Sequence, residues 1–166
     1  MIIPGGISVE DLLLERLHAD QRLADWRVEI ISVPGFGGES AARLFKRYPA
    51  VGTYCPGGEY QSTPGDTIIT ETCHVALLCA GANYRAASAA RRGGPELPGA
   101  NHLVDACRRI LQEWRPGGNV AEVSPIRWRL GWSNSQIAVC VLEARVVLAR
   151  PLVPTPQEVE AYGSSW

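Results

Sequence analysis

Residues 103–114 read LVDACRRILQEW, and the spacing within them decides how the rest of the chain is read. Leu103, Ala106, Cys107, Ile110, Leu111 and Trp114 recur at three- and four-residue intervals, so in a helix they form one continuous apolar stripe. Asp105 and Arg109, then Arg109 and Glu113, are spaced four apart on the polar side, where opposite charges support a helix. Arg115-Pro116-Gly117 ends it, because proline cannot continue a helix and glycine accepts the turn beyond. A helix with one apolar stripe needs a partner surface. The flanking segments, rich in β-branched residues, predict that the partner is a sheet.

Downstream, residues 123–132 (VSPIRWRLGW) and 136–149 predict two strands joined by a turn at Ser133-Asn134-Ser135. Trp128 and Trp132 stand four apart, which in a regular strand puts both on one face together with Leu130. Core packing and a subunit interface both suit that aromatic face, while Arg127 and Arg129 alternate with it; Trp and Arg are enriched where interfaces bind tightly.

Upstream, Ser8 is expected to open a first helix with Asp11 three residues on, and Val9, Leu12, Leu13 and Leu17 carry its apolar face to about Asp20. Residues 27–33 predict a strand stopped by Pro34 and the glycines of GFGG. Residues 39–47 predict a short helix, 50–55 a strand, and PGGEYQSTPGD a turn or hairpin loop. Residues 67–80 (TIITETCHVALLCA) predict a long strand whose apolar second half crosses the middle of the sheet. The stretch 81–100, with at most a short helix over 86–92, reads as an arm or rim loop, since connections of this length in a compact domain usually carry function. The expected fold is therefore α+β: a mainly antiparallel sheet with two principal helices packed on one face. Residues 1–150 form its single domain and 151–166 a proline-rich extension.

Composition narrows the function. The net charge is −1, with one lysine (Lys46) against fifteen arginines, so nucleic-acid binding would need a local basic patch. A GC-rich coding bias explains the arginines, and arginine forks also suit protein interfaces. The five cysteines are odd in number and have no CxxC spacing, which fits buried thiols in a reducing compartment. The N-terminus lacks the pattern of a signal peptide, and no apolar run reaches membrane-spanning length, so a soluble protein made in the cytoplasm is expected.

Candidate chemistry is sparse. Pro34-Gly-Phe-Gly-Gly-Glu-Ser40 resembles a phosphate loop but lacks the GK[ST] ending and the GxGxxG spacing, and it reads as a flexible turn. His18, His74 and His102 are scattered, with no metal-binding spacing, and there is no GxSxG elbow. No catalytic, cofactor-binding or metal-binding residue is assigned from the sequence. A cysteine–histidine pair meeting only in space stays open, as does an enzyme of unknown type.

YPAVGTY at 48–54, AARRGG at 89–94 and LVDACRRILQEWRPGG at 103–118, followed by a closing hairpin, together resemble a family of Mu-like prophage proteins encoded among the head–tail joining and tail genes. The similarity covers about residues 8 to 150. The resemblance implies a tail-terminator-like fold and a non-enzymatic virion protein that caps the tail tube, and the sheath of a contractile tail, as a ring. It implies a homo-oligomer, with a hexamer as the usual form. The implied partners are the tail tube protein, the sheath protein and the head–tail connector; DNA enters only as cargo passing through the lumen, and no membrane is involved. The expected location is the host cytoplasm during assembly and then the head-proximal end of the tail. A head–tail connector, a stopper or another tail-completion factor is the alternative within the same class, and a cellular adaptor is the alternative outside it. Candidate interface residues are Arg85, Arg91, Arg92 and Glu96 in the arm, Arg127 and Arg129 on the aromatic strand, and Tyr162 and Trp166 in the extension.

Overall fold

The computed structural model describes residues 6–35, 43–62, 65, 67–83, 87–94 and 97–151. In chain order these form α1 (Gly6–His18), α2 (Gln21–Asp25), β1 (Glu29–Ser32), β2 (Ala50–Gln61), β3 (Ile68–Ala82), α3 (Ala87–Arg92), α4 (Ala100–Glu113), β4 (Val120–Ser133) and β5 (Ile137–Pro151). The five strands make one sheet in the order β1-β2-β3-β5-β4. Only β1 and β2 run parallel; every other pair is antiparallel. The α+β architecture with helices on one face follows from the apolar patterns.

Register fixes which side chains share a face, because directly opposed residues point the same way. Cys73, Val75, Leu77 and Cys79 of β3 and Cys140, Leu142, Ala144, Val146 and Leu148 of β5 are buried on the helix-covered face. Against them lie Val9, Leu13 and Leu17 of α1, Leu23 of α2, and Leu103, Val104, Ala106, Cys107, Ile110 and Leu111 of α4. Burying one Leu or Ile side chain stabilises the fold by about 1.5–3 kcal/mol, so the α4 stripe contributes heavily. Trp114 caps this helix at its C-terminal end and is buried with the stripe.

A second, smaller cluster lies on the other face at one end of the sheet: Val33, Phe45, Ala50, Leu78, Ala80 and Val139. The segment after residue 43 covers it, and Glu29 holds that segment by accepting from the backbone N–H groups of Lys46 at 2.9 Å and Arg47 at 3.0 Å. Farther along this face the side chains of His74 and Arg145 are 44% and 48% exposed.

Several elements differ from the sequence reading. Helix α1 begins at Gly6, so Ser8 lies inside it and is not its cap. Helix α4 begins at Ala100 with Gly99 as N-cap, and Asn101 in its first turn accepts from the Cys140 thiol at 3.5 Å. Strand β2 does not stop at Cys55; it runs through Pro56-Gly57-Gly58 to Gln61, with an irregularity between Tyr54 and Gly57. The short β1 pairs with β2 only as far as Thr53, so among the described residues no strand pairs with Pro56 on that side, a position that tolerates proline. Residues 39–42 of the expected 39–47 helix, and Phe36, Gly37 and Gly38 of GFGG, lie outside the described residues; of residues 43–47 only Arg43 and Leu44 are helical.

The described part of 81–100 does not project as an arm. Helix α3 packs on β3, β5 and α4, with Ala90 and Ala100 fully buried. Two glycines make this approach possible. A side chain on Gly81 would fall on the carbonyl oxygen of Ala90 and 2.6 Å from the backbone nitrogen of Ala100. One on Gly99 would strike the Gly93 nitrogen and come within 2.7 Å of the Arg91 carbonyl oxygen. Gly81→Ala is therefore expected to destabilise the protein by about 3 kcal/mol, the upper end of overpacking costs, because backbone atoms cannot give way as a side chain would. Urea unfolding followed by circular dichroism measures this, and a cost below about 1 kcal/mol would contradict the packing of α3 and α4 against β3.

Candidate interaction surface

Strand β4 is the outermost strand on its side of the sheet, and it carries an unusual load for an edge. Ile126, Trp128 and Leu130 are exposed by 53%, 53% and 42%, within five consecutive residues. An edge strand offers unpaired backbone groups, and exposed apolar side chains on one mark a place where another chain can pair.

The register divides this strand between the two faces. Trp128 opposes Leu142 and Leu130 opposes Cys140, both on the helix-covered face. A register shift between Leu130 and Trp132 then turns Trp132 to oppose Val139, in the small cluster on the other face. Trp128 and Trp132 therefore do not share a face, contrary to the four-residue spacing, because Gly131 is the extra residue of a bulge. Trp132 is half-buried in packing, whereas Trp128 stands in solvent.

Arg127 and Arg129 point to the open face and share one carboxylate: Nε of Arg127 donates to Glu143 at 2.6 Å and Nε of Arg129 at 3.3 Å. These bonds, that from Arg127 foremost, hold the Glu143 carboxyl below its usual range. Two guanidinium groups on one carboxylate leave the trio with a net positive charge. Farther along the same face, Glu122 accepts from Ser124 and from Arg145, which lower its pKa in that order. Exposed in solvent, such pairs orient side chains more than they hold strands together. A cleft of about 310 Å³ opens beside the trio, lined by Tyr54, Pro56, His74, Ile126, Arg129 and Glu143 among others.

The residues expected at an interface are only partly brought together. Arg91 and Arg92 lie on α3, on the helix-covered side, where Arg91 is close enough to Cys140 to lower its thiol pKa against the larger rise from burial. Arg127 and Arg129 lie on the opposite face, so these four arginines form two groups and not one patch. Arg85, Glu96, Tyr162 and Trp166 lie outside the described residues.

Sequence reasoning missed a buried polar cluster. Glu71 of β3 pairs with Nε of Arg150 of β5, with side chains 7% and 11% exposed, and the Tyr60 hydroxyl donates to Glu71 at 3.3 Å. A hollow of about 300 Å³ beside them is lined by Glu10, Cys55, Tyr60, Glu71 and Cys73 among others. Burial, with the nearby Glu71 charge, pushes the Cys73 thiol up to about 12, so it stays protonated and a poor nucleophile. One signal was available: Glu71 has the same parity as Cys73, Val75 and Leu77, and a charge on a buried parity requires a partner. Elsewhere the Cys79 and Cys107 sulfurs lie 4.0 Å apart in the core, and this contact, together with burial, raises the Cys79 thiol pKa. Among the described residues no three His, Cys, Asp or Glu side chains are placed to hold a metal, and no helix is long and apolar enough to cross a membrane.

No protein-family model matches the chain, and no curated protein matches it.

The two exposures make a test between tryptophans. Trp114→Ala should cost about 3–5 kcal/mol, as a core deletion does. Trp128→Ala should cost no more than about 1.5 kcal/mol, because its ring has little apolar contact to lose. Denaturant unfolding of the two variants decides it; equal losses would mean that Trp128 belongs to the core.

Proposed function

We propose that this chain is a structural virion protein, a tail terminator of a contractile phage-type tail. In this reading several copies close into a ring on the last layer of the tube, stop tube and sheath growth, and present a surface to the head connector. The observation that carries the reading is the solvent-facing edge of β4, where Ile126, Trp128 and Leu130 stand exposed on a strand with a free side. A domain working alone has no use for that combination. A ring requires each copy to offer one surface and receive another, and a free strand edge is half of such a contact.

Support also comes from the resemblance of AARRGG at 89–94 and LVDACRRILQEWRPGG at 103–118 to the Mu-like tail-gene proteins. These segments become α3 and α4 with its terminating turn, packed together on β3 and β5. They are framework, and the exposed edge belongs to the closing hairpin that follows them. The open face of the sheet carries both charge signs and no basic field, which suits DNA that passes through a lumen without being gripped.

The role makes a genetic prediction. In the particle whose genome carries this gene, its deletion should give tubes of uncontrolled length and full heads left unjoined, as seen by electron microscopy. A wild-type copy should restore joined particles, and a folded Trp128→Glu variant should restore fewer than about one in ten, as loss of an interface anchor would. Joined particles with tails of normal length in the deletion strain would overturn the role.

A further inference from the structure

We propose that residues 154–160 fold back onto their own domain as an extended strap, seated in the cleft between the turn after α4 and the first half of β4. The proposal goes beyond the ring reading and stands without it.

Two glycines shape this cleft. Gly117 and Gly118 take φ of 73° and 64°, a region that glycine enters freely, and they turn the chain sharply from α4 into β4. Turn and strand face each other across a cleft of about 650 Å³, within the size range of ligand sites. Trp114, Pro116, Val120, Val123 and Pro125 give it apolar walls. Trp114 is buried and the other four are half-buried. A groove walled by aromatic and aliphatic side chains suits a proline-rich segment in polyproline geometry. The polar part of the lining includes one cation. Arg115 donates to the backbone carbonyls of Gln112 at 2.7 Å and Trp114 at 2.8 Å, and among the described residues no carboxylate pairs with it. Glu122, also at the cleft, is engaged with Ser124 and Arg145.

The occupant follows from where β5 ends and from what comes after it. Strand β5 ends at Pro151, at the end of the sheet where β4 begins, and the Ala149 N–H donates to the Asn119 carbonyl at 2.8 Å just before the cleft. Val120, at the near mouth, is level with Leu148, three residues back along β5, so it lies about 11 Å from Pro151. Val123, midway along the cleft, is level with Val146, at about 18 Å. The nine residues from Leu152 to Glu160 cover about 28 Å in polyproline geometry, which leaves slack for the chain to reverse. Residues 154–160 read PTPQEVE. Pro154 and Pro156 fix their own φ and bias Val153 and Thr155 toward extended backbone, so little conformational freedom is lost on docking. The prolines match the apolar walls, and Glu158 and Glu160 bring carboxylates to Arg115. Attachment to the same chain supplies a local concentration on the order of millimolar, which a neighbour's segment does not have.

The test is NMR on the full chain. Nuclear Overhauser contacts from Pro154 and Pro156 to the Trp114 ring and the Val123 methyl groups are expected, and a mixture of isotope-labelled and unlabelled chains should show that they arise within one copy. Pro154→Gly/Pro156→Gly, which changes no described residue, should weaken docking at least about fourfold by freeing the undocked segment. Arg115→Glu, with the core methyl signals unmoved, should weaken it at least about threefold, and adding Glu158→Arg/Glu160→Arg should restore it. Backbone amides of residues 155 and 157–160 as mobile in the wild type as in a free peptide would overturn the proposal. Contacts of these residues with another surface of the domain would overturn it as well, and so would cleft contacts that arise only between copies. Docking that neither the proline changes nor Arg115→Glu weakens would show that the segment is not held in this cleft.

Discussion

Residues 77 to 81 of β3 are buried on both sides, and a strand in that position needs cover above and below. Leu77 and Cys79 look toward the helices, Leu78 and Ala80 toward the segment that carries Phe45, and Gly81 keeps one side bare so that backbone can press against it. The rest of the fold answers these demands. The α4 stripe covers β3 and β5 from one side, α1 covers β1 and β2, and Glu29 holds the 45–49 segment across the other face. Strands β2 and β5 flank β3 and pair with it over most of its length. The sheet thus grows outward from its most apolar strand until it reaches two edges of unlike character.

One edge is four-residue β1, short and tied down. The other is β4, fourteen residues long, with Ile126, Trp128 and Leu130 exposed. Bulges and arginines guard the strand, which is how an edge is kept soluble while remaining able to accept one kind of partner. The framework answers a requirement for stability, and the exposed edge does not.

The parts of this arrangement legible in the sequence were those set by periodicity over many residues. The α4 stripe, the WRPGG stop and the long apolar run of β3 each repeat one signal often enough to outweigh local noise. Illegible parts turned on single residues whose meaning depends on neighbours. Pro56-Gly57-Gly58 looks like a turn unless it is known that β1 ends at Ser32 and leaves that side of β2 open. Gly131 looks like any strand glycine, yet as a bulge it sends Trp132 to the opposite face from Trp128. The glycines of 81–100 suggested a loose arm, because close backbone approach and chain flexibility favour the same residue. Glu71 was readable by parity, but Arg150, seventy-nine residues away, could be matched to it only through the β3–β5 register.

The position of this chain in an assembled particle tests the central claim most directly. Gold-labelled antibody against the chain, imaged on intact particles by electron microscopy, should mark a single site at the head-proximal end of the tail. Label spread along the tube, confined to the tip or baseplate, or absent from particles altogether would contradict the tail-terminator account.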